Sequence, residues 1–213
     1  MVRWGVVVGL IWCWLPAQPL PAQVTIGAIT GLSVSTHTFE GLDVNTLNSF
    51  VSGATVVIPV REILSMRLDA LRTRKGANPV WELDGVTGGM RIDYVEIPIL
   101  AHVDLAGPSP ALHPSIYAGP AFSFATDCDF EWIFHGVPDP RTCEENGAEI
   151  KTFDWGLVVG GSLGFDVGPA MITVDARYNH GLGDINEHPE YVTKHRAVSL
   201  MGGVAFTVGG VDR

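Results

Sequence analysis

Seven histidines and three cysteines are the residues of this chain that could bind a metal ion or act as nucleophiles. The histidines are scattered, without the short spacings at which zinc ligands occur. The glycine pairs at 160–161 and 202–203 precede no predicted helix, as a phosphate-binding loop would require. We therefore expect neither a metal site nor a cofactor.

Hydrolysis is the reaction for which a set of residues can be suggested. His180, Glu187 and Ser199 could form the Ser-His-carboxylate set of a lipid hydrolase. No motif links the three, and the chain offers many other polar residues from which such a set could be chosen. The sequence therefore favours a protein that is not an enzyme, with an outer-membrane lipid hydrolase as an alternative.

The first residues have the pattern of a secretory signal peptide. Arg3 supplies an early positive charge, the stretch from Trp4 to Leu15 is apolar, and a Pro-containing end follows. About a dozen apolar residues are too few for a membrane-spanning helix, which needs about 20. We predict a signal peptide over residues 1–22 and a single domain over residues 23–213.

Two cysteines, Cys128 and Cys143, remain once that segment is removed. An even pair in an exported protein predicts a disulfide bond, with two free thiols as the alternative. The third, Cys13, could mark a lipoprotein, but the bulky Trp12 before it is unlike a lipoprotein signal.

The chain is acidic, with a formal net charge of −10. This excludes nucleic acid as a partner, because phosphate binding needs clustered Lys and Arg. Between Asp127 and Glu149 seven acidic residues stand against Arg141 alone. Their spacing matches no calcium-binding loop, so solvated surface charge is the simpler interpretation and a calcium site the alternative.

Eight stretches alternate between apolar and polar residues as strands do. They are residues 24–39, 48–60, 64–73, 90–105, 114–126, 152–167, 170–179 and 196–208. No apolar run after residue 23 is long enough for a spanning helix, so a membrane protein with this sequence has to be a closed barrel.

The connections between these stretches alternate in length. Three are short, and the other four are longer and polar, the longest running from Asp127 to Lys151. Outer-membrane barrels have this asymmetry, with short turns in the periplasm and long loops outside. A soluble barrel with an apolar interior is the alternative, but the small residues on the polar faces of the fifth and sixth stretches suit a narrow lumen better.

Period-two alternation predicts which side chains face lipid and which face the lumen. Val95, Ile97 and Ile99 share an apolar face that suits lipid. The opposite faces carry the charged residues Arg67, Asp69, Glu96, Asp175 and Arg177. We expect these five to form a charge network that plugs the lumen, with a wet, water-paired interior as the alternative.

Five short motifs follow one another along the strands: RKGA at 74–77, YVEIPIL at 94–100, YAGP at 117–120, DWGLVVGG at 154–161 and RYNHGLGDI at 177–185. Together they resemble the PorT-type outer-membrane β-barrel proteins, also called porin-family proteins. The resemblance implies eight strands and periplasmic termini. It implies no activity, although one member type is linked to protein secretion.

We therefore predict an all-β protein, an eight-stranded antiparallel up-and-down transmembrane β-barrel in a bacterial outer membrane. Its expected partners are outer-membrane lipid, the barrel-assembly machinery during biogenesis, and an unknown extracellular ligand or secretion partner. The predicted role is structural or a surface interaction through extracellular loops. A narrow porin, transport or secretion-associated barrel is the alternative.

Overall fold

A computed structural model describes residues 23–39, 42–43, 46–83, 85–105, 111–145, 147, 150–183 and 194–209. The predicted signal peptide lies outside the described residues. Within them no helix is long and apolar enough to cross a membrane.

The described residues form ten β-strands, and their bounds follow in chain order. They are β1 (Val24–Phe39), β2 (Leu42–Asp43), β3 (Leu47–Pro59), β4 (Leu64–Leu83), β5 (Val86–Asp104), β6 (Leu112–Phe134), β7 (Val137–Thr142), β8 (Phe153–Val167), β9 (Ala170–Gly181) and β10 (Lys194–Val208).

The eight longer strands form a closed antiparallel barrel. The pairing runs β1-β3-β4-β5-β6-β8-β9-β10, and β10 pairs with β1 from Val24↔Val208 to Thr38↔Lys194. The short strands lie outside this ring, because β2 pairs with β1 and β7 pairs with β6. The predicted fold class is therefore confirmed, and closure leaves the wall without an open edge.

The two faces of the wall differ as the alternation predicted. Val95, Ile97 and Ile99 on β5 point outward and are 38–39% exposed, whereas Glu96 between them points inward and is 3% exposed. Apolar side chains cover the outside of the other long strands as well, including Leu32, Phe50 and Leu200. Such an exterior suits lipid and would be costly in water.

The two ends of the barrel also differ. At one end, which we call the turn end, lie the start of β1, the end of β10 and the tight connections β3–β4 and β8–β9. Gly168 makes the β8–β9 turn possible, because its φ of 62° is a conformation that glycine adopts without strain. At the opposite end, which we call the loop end, lie the β1–β3 and β9–β10 connections and the β4–β5 and β6–β7 hairpins.

Two predicted connections are largely strand. In residues 74–89, β4 continues to Leu83 and β5 already begins at Val86. The longest predicted connection, residues 127–151, is the second. Strand β6 continues to Phe134 and turns back into β7, so most of the segment is a hairpin. The cause is a bulge: Asp93 pairs with Asp127 and Tyr94 with Ala125, which leaves Thr126 as an extra residue. A bulge reverses the facing of all later residues, so the period-two pattern breaks there although the strand continues.

Gly119 allows the backbones of β5 and β6 to come close together. A Cβ atom at this position would lie 2.0 Å from the carbonyl oxygen of Ile99. We expect Gly119→Ala to lower the free energy of unfolding by about 1–3 kcal/mol, because the two strands must move apart. Gly202→Ala is the control, since its Cβ would find its nearest atom, Thr173 O, at 3.8 Å. Urea unfolding in detergent would measure both, and an equal effect of the two substitutions would contradict the prediction.

Candidate functional site

Four charged side chains meet in the middle of the lumen and form a closed ring of ion pairs. Arg67 Nε lies 2.9 Å from Asp69 Oδ1, and Arg67 Nη1 lies 2.7 Å from Asp175 Oδ2. Arg177 Nη2 lies 2.9 Å from Asp69 Oδ2, and Arg177 Nε lies 3.3 Å from Asp175 Oδ1. Each residue is at most 5% exposed. We call this set the charge ring.

The charge ring depends on the number of strands. Arg67 and Asp69 are two residues apart on β4, so both face the lumen, and the same holds for Asp175 and Arg177 on β9. In the cyclic strand order β4 and β9 are four places apart, which puts them on opposite sides of an eight-stranded barrel. Two of the four ion pairs, Arg67–Asp175 and Arg177–Asp69, therefore span the full width of the lumen.

Tyr117 of β6 completes the charge ring from the side. Its hydroxyl donates a hydrogen bond to Asp175 Oδ1 at 2.6 Å. The guanidinium carbons of Arg67 and Arg177 lie 4.9 and 5.5 Å from the centre of its aromatic ring, within cation–π range. Every member of the ring thus has several polar or aromatic partners, which offset the cost of burying charge.

Glu96, predicted to join the other four charged residues, instead forms a second layer nearer the loop end. It pairs with Lys75 of β4, and its Oε2 accepts hydrogen bonds from Asn179 Nδ2 at 2.9 Å and Ser123 Oγ at 3.2 Å. The predicted third stretch ended at Thr73, so Lys75 was missed. The sequence could have indicated Lys75, because it lies an even number of residues after Arg67 and Asp69 and therefore on the same face of the strand.

Beyond this second layer, towards the loop end, larger side chains occupy the lumen. Tyr94 OH lies 3.0 Å from His195 Nε2, and both Tyr94 and Ile92 are fully buried. Between the charge ring and the second layer lies a void of only ≈ 10 Å³. Towards the turn end, by contrast, the lumen widens into a cavity of ≈ 620 Å³, with Arg67 among its lining residues.

Beyond the barrel at the loop end, strands β4 to β7 continue as a small sheet. The Cys128–Cys143 disulfide lies at the base of its β6–β7 hairpin, with 5.5 Å between the Cα atoms, and the predicted bond is confirmed. The two cysteines lie directly opposite each other, one position beyond the Asp129↔Thr142 pair. Cys143 N donates a hydrogen bond to Cys128 O at 3.0 Å. The disulfide therefore fastens the hairpin to the barrel wall.

Strand β7 has two prolines, Pro138 and Pro140, at alternate positions. The backbone N–H of Cys143 points to β6. Because N–H groups alternate in direction along a strand, those at the even-numbered positions of β7 point away from β6. Proline has no N–H to donate there, and the N–H of Thr142, the next even position, is satisfied by Glu145 Oε2 at 2.9 Å. In the described part of the chain β7 pairs only with β6.

The suggested hydrolase set is not assembled. His180 lies on the outer face, where its Nδ1 is 3.3 Å from Tyr178 OH, whereas Ser199 is buried in the lumen, where its Oγ is 3.0 Å from Ser33 Oγ. Glu187 lies outside the described residues. Among the described residues no group of three His, Cys, Asp or Glu side chains is placed to hold a metal ion.

Comparisons with known proteins agree with this geometry. The family model of the outer membrane protein beta-barrel domain matches residues 17–187. A similar solved structure is the outer membrane protein OprG of Pseudomonas aeruginosa, at 14% identity and a TM-score of 0.61, covering 89% of this chain and 98% of that chain. Neisserial surface protein A is similar at 16% identity and a TM-score of 0.51, covering 87% and 97%. Outer Membrane Protein W of E. coli is similar at 13% identity and a TM-score of 0.50, covering 90% and 100%. Among curated proteins none matches the chain.

The disulfide should stabilise the hairpin and leave the barrel unaffected. Closing a loop of 15 residues contributes roughly 3 kcal/mol. In the double variant Cys128→Ser/Cys143→Ser we expect trypsin to cleave after the exposed Arg141 up to about a hundredfold faster, because the hairpin opens more often. The urea midpoint of the barrel should not change. Wild-type protein with reductant is the control, and an unchanged cleavage rate would refute the prediction.

The charge ring should show strong coupling between its members. Arg177→Met leaves a carboxylate without one of its partners, and we expect a loss of about 3–5 kcal/mol in the free energy of unfolding. Adding Asp69→Asn removes the excess negative charge and should restore part of that loss. Arg72→Met is the matched control, because the Arg72 side chain is 75% exposed. Strictly additive effects of the two ring substitutions would show that the charges are not coupled.

Proposed function

The chain belongs to the outer membrane protein beta-barrel domain family, and from this membership we propose a closed, non-conducting barrel that acts through the surface it presents at its loop end. The protein is located in the bacterial outer membrane. Lipid surrounds the apolar exterior, and the barrel-assembly machinery is its partner during biogenesis.

One observation supports the absence of conduction more than any other. The charge ring joins opposite strands across the lumen, and the Lys75–Glu96 layer lies directly beyond it. An ion moving through would have to separate buried pairs, and each separation leaves charge without a partner in a space that holds little water. Packing from the charge ring to the loop end supports a closed barrel, as is usual for eight strands.

The loop end supports a role in surface interactions. In outer-membrane barrels the short turns lie in the periplasm, so we assign the loop end to the cell exterior. There the disulfide-fastened hairpin exposes both apolar and charged groups: Phe134 is 42% and Val137 66% exposed, and Asp139 and Arg141 are paired on its surface. A rigid platform of this kind suits an extracellular partner better than a catalytic role.

Two narrower assignments within the family are alternatives. The motifs at 94–100 and 177–185 support the PorT type, which would bring a secretion partner. Narrow transport is supported by the wide cavity at the turn end, and it would need the charge ring and the packed layers beyond it to open. The first predicts a periplasmic binding partner, and the second predicts measurable conductance.

Planar-bilayer recording tests the closed barrel directly. We expect the wild-type protein to give no steady conductance and Arg177→Ala to leak, because that substitution removes one of the two ion pairs across the lumen and the pair within β9. Arg72→Ala is the control, since it removes an arginine from the outer face. A large, steady conductance from the wild-type barrel would reject the proposal in favour of transport.

A further inference from the structure

The cavity at the turn end has the size of a binding site. Its volume of ≈ 620 Å³ lies within the roughly 300–1,000 Å³ of small-molecule sites. It ends at the charge ring and opens between the short turns. Ile29, Val57, Met171 and Ala205 supply apolar wall. We call it the turn-end cavity.

His102 is the residue that points to a ligand. It lines the cavity, is 9% exposed, and its Nδ1 has no hydrogen-bond partner among the described residues. The nearest carboxylate oxygen, Asp104 Oδ1, is 3.9 Å away, too far for a hydrogen bond. Its ring is held in place by stacking on Tyr117, with 6.2 Å between ring centres. A buried polar atom without a partner is costly unless something else supplies one.

The inner part of the cavity offers hydrogen-bond donors. Arg67 lies there with Nε and Nη1 bound to Asp69 and Asp175, which leaves Nη2 for a molecule in the cavity. The hydroxyl of Ser65, which is more than nine-tenths buried and lies opposite His102 on the neighbouring strand, also lines the cavity. Guanidinium, imidazole and hydroxyl donors together suit a carboxylate.

The mouth of the cavity has the opposite character. Asp104 and Asp166 stand there with side chains 43% and 57% exposed. His113 Nε2 lies 2.8 Å from Asp166 Oδ2, so this carboxylate is held in place. Two carboxylates at an opening attract a cationic group and repel an anion that carries no positive charge.

We propose that the turn-end cavity binds a small zwitterionic solute, with its carboxylate against His102 and Arg67 and its ammonium group between Asp104 and Asp166. His102 and Asp104 are two residues apart on β5, so both face the lumen, and 3.9 Å separates His102 Nδ1 from Asp104 Oδ1. An ω-amino acid with a short methylene chain fits both the charge pattern and the apolar wall. The site does not require a conducting barrel, because the ligand enters and leaves by the same mouth.

Methionine-methyl NMR on the refolded full-length barrel in micelles can test the site with 4-aminobutyrate. Met171 lines the cavity, whereas Met66 is on the outer face and 37% exposed, so it reports any partition into detergent. We expect saturable shifts at Met171 and none at Met66. Butyrate and butylammonium each lack one charged end and should bind about tenfold more weakly, the effect of losing a charge-assisted hydrogen bond.

Substitutions assign the two ends of the ligand. His102→Phe keeps the ring stacked on Tyr117 but removes the nitrogens, and it should weaken 4-aminobutyrate about tenfold while leaving butylammonium unchanged. Asp104→Asn should weaken 4-aminobutyrate and leave butyrate unchanged. Ser199→Ala is the control, because Ser199 lies beyond the charge ring.

The outcomes are decisive in each direction. Equal affinity for the zwitterion and for the singly charged compounds, or equal shifts at Met171 and Met66, would overturn the proposal. If His102→Phe does not fold, Asp104→Asn and the three ligands still test it. Bilayer conductance is a separate measurement, so a failed pocket and a failed closed barrel can be told apart.

Discussion

Charge buried in the lumen must be paired, and most of the structure depends on this requirement. The ring of two arginines and two aspartates closes only if β4 and β9 face each other, as they do with eight strands. A slip of one residue in either strand would move its charges to the lipid face. The ring therefore specifies strand number and register at once, in addition to any contribution to stability.

The charge ring also divides the lumen into two zones. Towards the loop end the interior is filled by paired polar groups and then by Tyr94 and Ile92. Towards the turn end it is open and lined by histidine, carboxylate and hydroxyl groups. The closed barrel and the binding site that we propose therefore lie in different zones, so closure and binding need not conflict.

Alternation was enough to predict the fold, the bounds of β1 and the facing of β5, because each depends on local side-chain direction. It also selected the four residues of the charge ring. It could not assign the partner of Glu96. Alternation shows which face of a strand a side chain lies on, but a contact across the lumen also depends on how far along the barrel axis each residue lies. The hairpin was missed for another reason: the bulge at Thr126 breaks the pattern on which the prediction rests.

The prolines of β7 have a consequence for crowded membranes. An edge strand that projects above the membrane could pair with the same strand of a neighbouring copy and start an ordered aggregate. The backbone nitrogens of Pro138 and Pro140 point to the free edge of β7 and carry no hydrogen, and the N–H of Thr142 is already bound to Glu145. The edge therefore offers few donors to a neighbour. The hairpin can therefore stand rigid at high surface density while each barrel remains a separate unit.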